Sequence, residues 1–151
     1  MASFKGQKAL APALMNVAGD AAFMLDKVVL GASPGLGTPV ATDTIDFLIP
    51  GGAHLATLEF VLDDCDTGTA FVFGIGYRPV NPLSSLAANN TYFAAAGQTI
   101  GQTGGRLECS FKPIKFEEDV YIQLLVGAGP TGITGNPEIH CIAAYNCVGV
   151  K

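Results

Sequence analysis

The sequence is short of charge and has no apolar run long enough to cross a membrane. Charged residues make up 14% of the chain and hydrophobic residues 49%, whereas an ordinary domain is about 25% charged. Glycine and proline interrupt each apolar stretch before it reaches the roughly 18 residues that a membrane helix needs. A surface with so few charges is expected to be covered by other protein subunits, so we predict no membrane partner.

Basic residues and tryptophan are also scarce. The chain has 8 Lys and Arg against 13 Asp and Glu, which gives a net charge of −5. Nucleic-acid binding through a basic face is therefore not expected. The absence of tryptophan removes the largest platform for stacking a sugar ring, although 4 tyrosines remain.

The four cysteines, Cys65, Cys109, Cys141 and Cys147, form no C-x-x-C pair. Their spacing therefore predicts neither a zinc site nor a thioredoxin-like redox motif. An even number permits two disulfides, but free cysteines are mostly buried in proteins made in a reducing cytosol. We therefore expect four half-buried free thiols.

No catalytic motif is recognisable. The chain has two histidines, His54 and His140, and no G-x-S-x-G elbow. The acidic loop of residues 63–66 is the best candidate for calcium, but it lacks EF-hand spacing. We interpret it as a solvated hairpin turn. We predict no enzyme activity, no metal and no cofactor.

Short strands separated by turns fill most of the chain. Alternation with a period of two places Ile45, Phe47 and Ile49 on one face of a strand. Further strands are predicted over residues 22–30, 54–62, 69–77, 106–111, 120–126 and 138–148. The inward residues of two of them are Leu58, Phe60, Leu62, Phe71, Phe73, Ile75 and Tyr77. The small residues Gly74 and Gly76 on the opposite face indicate a bend or close approach of another backbone.

One segment interrupts this pattern. Pro79 and Pro82 end a strand, and the alanine-rich residues 84–88 and 91–96 are predicted to form short helical turns. About eight strands at short spacing then favour an all-β fold, a jelly-roll-like antiparallel β-sandwich with one short helical insertion.

Residues 1–20 are predicted to form an N-terminal arm, followed by a β-sandwich domain over residues 21–151. The arm is rich in small and apolar residues without a clear period. Its candidate contacts with a capsid or a second subunit are Phe4, Lys5, Lys8, Leu10, Leu14, Met15 and Val17. The other interpretation is a terminal strand or helix that packs on its own domain.

One succession of turns and strands between residues 42 and 145 is distinctive as a whole. It consists of Ile-Pro-Gly-Gly-Ala at 49–53, an apolar strand at 55–62, the acidic turn at 63–69, a strand with Gly-Ile-Gly-Tyr at 71–77, an alanine-rich segment with Phe93, Glu-Asp-Val-Tyr-Ile-Gln-Leu at 118–124, a Gly-Pro-Thr-Gly loop and a strand at 138–145. This order resembles the small jelly-roll or β-sandwich decoration (cement) proteins of tailed-bacteriophage heads.

The resemblance implies a virion structural protein without an active site. Such a protein is made in the host cytoplasm, binds the major capsid protein at the outer capsid surface and cements contacts between capsomers. It implies self-association, with a homotrimer favoured over a dimer. The alternative is a receptor- or glycan-binding module of a phage tail or fibre, with Tyr77, Tyr92 and Phe93 as binding residues. A third, weaker possibility is a hydrolase with facing carboxylates.

Overall fold

The computed structural model describes residues 1–5, 21–32 and 35–147, which form ten β-strands and one short 3-10 helix. The helix spans Ile100–Gln102. The strands are β1 Ser3–Lys5, β2 Ala21–Val29, β3 Thr44–Ile49, β4 Ala53–Leu62, β5 Val72–Pro79, β6 Asn89–Gln98, β7 Gly105–Glu108, β8 Ile114–Lys115, β9 Val120–Ala128 and β10 Glu138–Cys147. Within these residues no helix has the length and apolarity needed to cross a membrane.

The strands form two sheets. The first has the order β1-β3-β9-β5-β6, and the second has the order β2-β10-β4-β7, with β8 also pairing with β4. Strand β1 runs parallel to β3, and the other pairings among the described strands are antiparallel. The chain crosses repeatedly from one sheet to the other, which is the topology of a jelly roll. The prediction of an all-β, jelly-roll-like antiparallel sandwich is confirmed.

The core lies between the two sheets and is built from the inward residues of each strand. The inward residues predicted from the two-residue period are all buried: Ile45, Phe47, Ile49, Leu58, Phe60, Leu62, Phe71, Phe73, Ile75 and Tyr77. The rings of Phe47 in the first sheet and Phe60 in the second lie 5.8 Å apart, within the range of favourable aromatic pairs. Burial of this apolar surface is the main force holding the sheets together.

The predicted helical insertion is placed wrongly. Residues 84–88 form an irregular loop with a bend, and residues 91–96 belong to strand β6. The reason is the neighbouring strand β5, in which Gly74 and Gly76 leave room for the β6 backbone. A Cβ atom on Gly74 would lie 3.2 Å from Ala96 Cα, and one on Gly76 would overlap the backbone of Asn89. The predicted close approach of another backbone at these glycines is confirmed.

Candidate interaction surface

The acidic loop is organised by its own carboxylates. Asp66 is buried and accepts hydrogen bonds from the N–H groups of Gly68, Ala70, Phe71 and Thr131 at 2.7–2.9 Å. Burial alone would raise the pKa of this carboxyl, but the four donors outweigh it and lower the pKa to about 2. The predicted turn is present, but Asp66 is buried in it rather than solvated.

The described residues contain no group of three or more histidine, cysteine or acidic side chains arranged to hold a metal ion. All four cysteines are free thiols, but only Cys109 is half-buried as predicted, and Cys65, Cys141 and Cys147 are buried. Burial raises the pKa of Cys65 and of Cys109 to about 12, and that of Cys141 well above its ordinary value. Because the thiolate is the reactive form, these three residues are poor nucleophiles at neutral pH.

The aromatic residues considered for glycan binding come together, but in the core. Tyr77 packs edge-on against Tyr92, Phe93 and Phe116, with ring centroids 5.1–6.2 Å apart. Tyr77, Phe93 and Phe116 are buried, and Tyr92 is half-buried with its hydroxyl group donating to the Lys112 carbonyl. This cluster fills one end of the sandwich and does not present an open face for a sugar ring.

A different feature is exposed: an apolar patch on the outer face of the second sheet. Phe23 is 79% exposed and Leu25 is 58% exposed, although both lie within strand β2. They pair in register with Ala144 and Ile142 of β10, which are half-buried on the same face. We call these four residues the β2–β10 apolar face. Scattered apolar residues are normal on a surface, but a contiguous group on one sheet is typical of an interaction site.

Leu36 lies beside the C-terminal end of β2. Its N–H group donates to the Val29 carbonyl at 2.9 Å, and its side chain is exposed. Phe23, Leu25 and Leu36 are three of the six large apolar residues that are exposed in the described part of the chain. Exposed apolar surface is therefore concentrated on and next to one strand of the sandwich.

Charged side chains border the β2–β10 apolar face, and most of them are paired with a side chain of opposite charge. Lys27 Nζ lies 2.6 Å from Glu138 Oε1, and His140 Nε2 lies 2.9 Å from Glu138 Oε2. The hydrogen bond from Lys27 lowers the pKa of Glu138 below its ordinary value. Arg106 pairs with Glu59 farther across the same sheet. An apolar centre with a paired polar border is the general anatomy of a protein–protein interface.

Of the interface residues predicted from the N-terminal arm, Phe4 and Lys5 lie in strand β1. The Phe4 side chain is only 8% exposed and packs in the core of its own domain. The remaining predicted residues, Lys8, Leu10, Leu14, Met15 and Val17, lie outside the described residues. A contact between the arm and another subunit therefore stays a prediction.

Strand β1 is held by a charged cluster that the sequence did not reveal. The Asp46 side chain has no exposed surface, and its Oδ2 atom lies 2.6 Å from Arg78 Nη2 and 3.8 Å from Lys5 Nζ. The Ser3 hydroxyl also donates to this oxygen. Both cationic groups lie over the ring of Tyr121, at 3.7 Å for Lys5 and 4.6 Å for Arg78. A buried carboxylate is tolerated only when it is paired in this way.

No protein-family model and no curated protein matches this chain. Two solved structures do. A chain in the capsid of Ralstonia phage GP4 has a TM-score of 0.72 and 24% identity, covering 96% of this chain and 97% of that chain. A chain in the capsid asymmetric unit of cyanophage Pam1 has a TM-score of 0.62 and 14% identity, covering 93% and 94%. At these identities the likeness establishes the fold.

Proposed function

We propose that this chain is a non-enzymatic virion structural protein that binds the outer surface of a phage capsid and cements contacts between its capsomers. The observation that carries the proposal is the likeness, over nearly the full length of both partners, to chains in two phage capsids. The match extends over nearly all of this chain and nearly all of each neighbour, so it concerns the whole sandwich and not a fragment of it.

The distribution of apolar surface favours decoration of a shell over construction of its wall. A wall-forming subunit contacts neighbours around its whole perimeter. In the described part of this chain, half of the large exposed apolar residues lie on or beside β2. A contiguous patch on one sheet suits a subunit that sits on a surface, and we propose that the β2–β10 apolar face contacts the major capsid protein.

The energetics of this role require only a modest interface. A standard protein–protein interface buries about 1,600 Å² in total. On a symmetric shell, several linked copies bind with an avidity that exceeds the affinity of a single contact. We propose a homotrimer, on the basis of the sequence resemblance, with the N-terminal arm adding contacts to a neighbouring subunit. The net charge of −5 disfavours a role in binding the packaged nucleic acid.

Co-sedimentation tests the proposal. The purified chain is mixed with expanded heads that lack it, from the phage that encodes it, and the heads are pelleted over a range of chain concentrations. We expect saturable binding at a fixed number of copies per head. A stable monomer that stays in the supernatant at every concentration would contradict the proposal, and a glycan array would then test the receptor-binding alternative.

A further inference from the structure

We propose that strand β1 is exchanged between neighbouring copies, so that residues 1–5 of one copy add to the β3 edge of the next. The proposed function supplies the setting, because exchange requires several copies held close together. The inference itself is carried by the contacts of β1, by the residues that form its binding groove and by the length of chain that connects it to β2.

The contacts of β1 are similar to those of a short peptide bound at the edge of a sheet. Ser3, Phe4 and Lys5 pair in parallel with Thr44, Ile45 and Asp46 of β3. This is the one parallel pairing among the described strands. Addition of an extended peptide to a free sheet edge is a common mode of peptide recognition. Backbone pairing supplies affinity, and pockets for alternate side chains supply specificity.

The side chains of β1 occupy two sites, one on each face of the strand. Phe4 enters the hydrophobic core, while Ser3 and Lys5 reach the buried carboxylate of Asp46 on the opposite face. Before the strand, the N–H of Ala2 donates to Asp43 Oδ1 at 2.6 Å. The groove thus accommodates a small hydroxyl residue, an aromatic residue and a basic residue in succession.

The groove is formed without help from the N-terminal segment. Asp46 belongs to β3 and Asp43 directly precedes it, Arg78 lies near the end of β5, and Tyr121 lies in β9. Every copy therefore carries both the groove and the segment that fits it. The same five residues from a neighbour would make identical contacts, and exchange of an identical element is a low-cost route to association.

The connection between β1 and β2 does not force β1 to pair within its own chain. Fifteen residues, 6–20, separate the two strands in sequence. Fully extended, they span up to about 50 Å, whereas a domain of this size has a radius of gyration of about 15 Å. A connection of this length can therefore extend past its own domain, so the number of residues alone does not restrict β1 to the groove of its own copy.

An empty groove is unfavourable, which favours exchange of the strand over its simple release. Without β1, Asp46 would lose Ser3 and Lys5 and keep Arg78 as its cationic partner. The Phe4 position in the core would also be left open. Because a cavity is costly and a buried charge is less stable with fewer partners, a groove that has released its own strand favours binding a neighbour's.

Disulfide trapping with mixed isotopes tests the exchange. The Ser3→Cys and Thr44→Cys changes are combined in one chain, since Ser3 and Thr44 are register partners and neighbouring strands lie within disulfide range. Chains labelled with ¹⁴N and ¹⁵N are refolded together in equal amounts, assembled on heads and oxidised mildly. Mass spectrometry then shows whether each disulfide between the S3C and T44C positions joins two peptides of the same isotope (single-isotope) or a ¹⁴N peptide to a ¹⁵N peptide (hybrid). The matched control joins Ser3→Cys with Leu83→Cys, because Leu83 is 91% exposed in a turn outside the groove.

Complete exchange predicts that about half of the S3C–T44C disulfides are hybrid, since donor and acceptor copies then combine at random. Only single-isotope disulfides, on heads as in solution, would overturn the exchange. Should the cysteine variants fail to fold, p-benzoyl-phenylalanine at the exposed Ala2 position gives the same isotope readout by photo-crosslinking. Pelleting the heads in the same samples separates the two proposals: head binding without hybrids overturns exchange alone, and hybrids without head binding overturn the proposed function alone.

Discussion

Replacement of Phe23 by alanine is expected to weaken capsid binding without affecting folding. Phe23 is 79% exposed on the outer face of β2, so the folded chain gains little from its ring. Substitutions at such exposed positions usually change the free energy of unfolding by less than about 0.5 kcal/mol. If the β2–β10 apolar face contacts the capsid, the same ring loses its solvent-exposed surface when the complex forms.

The size of the effect follows from the exposed area. A phenylalanine residue buries about 150–250 Å² when fully covered, so a 79% exposed ring offers about 160 Å² to a partner. At about 25 cal/mol per Å², this corresponds to an upper limit of about 4 kcal/mol. Alanine retains part of the contact, and important interface residues typically contribute about 2 kcal/mol or more. We therefore expect a Kd at least about 30-fold higher.

Titration of fluorescently labelled chain against undecorated heads measures this Kd, and thermal melting measures folding. Leu83→Ala is the matched control, because Leu83 is an apolar residue with 91% exposure between β5 and β6, away from β2. We expect Leu83→Ala to bind as the natural chain does. The reasoning is refuted if Phe23→Ala binds with unchanged Kd, or if both variants lose affinity equally.

Two further predictions concern folding. Phe73→Ala removes a fully buried ring that lies 5.4 Å from Phe71, so we expect the free energy of unfolding in urea to fall by about 3–5 kcal/mol; an unchanged value would mean that Phe73 does not face the core. The folded-state pKa of Asp66 is about 2, below its ordinary 3.8. Its contribution to the free energy of unfolding is therefore present in full above about pH 4 and is lost as the pH falls towards 2. Asp66→Asn should therefore be less stable at pH 7 and less sensitive to acid over that window, and identical pH profiles of urea unfolding would contradict this assignment.

The faces of the strands could be predicted because they depend on a local pattern. In β3 and β5, alternate large apolar residues point into the sandwich, and a two-residue period leaves one possible inward set. Phe73, Ile75 and Tyr77 are therefore buried as predicted. The same patterns, separated by turns, were sufficient to predict an all-β sandwich.

Strand β6 could not be predicted from its own residues. Ala94, Ala95 and Ala96 favour a helix by intrinsic propensity, and the segment shows no alternation of large apolar residues. It becomes a strand because β5 offers a free edge with two glycines that admit its backbone. Such tertiary context overrides local propensity, and it is not visible in a single segment.

The interaction surface was missed for a similar reason. Strand β2 is apolar on both faces, with Met24 inward and Phe23 and Leu25 outward, and such a strand is equally consistent with a fully buried position. Its place at the end of the second sheet's strand order follows from the topology. Likewise, the two-residue period of β3 places Asp46 on the face opposite Ile45 and Phe47, but it does not reveal the partner Arg78, which lies 32 residues farther along the chain.

Cryo-electron microscopy of heads assembled with and without this chain tests the central claim most directly. The account predicts additional density on the outer surface of the shell, at junctions between capsomers, into which the jelly roll fits with β2 and β10 towards the shell. Density that forms the wall itself, or that lies at the tail or fibre and not on the capsid, would contradict it.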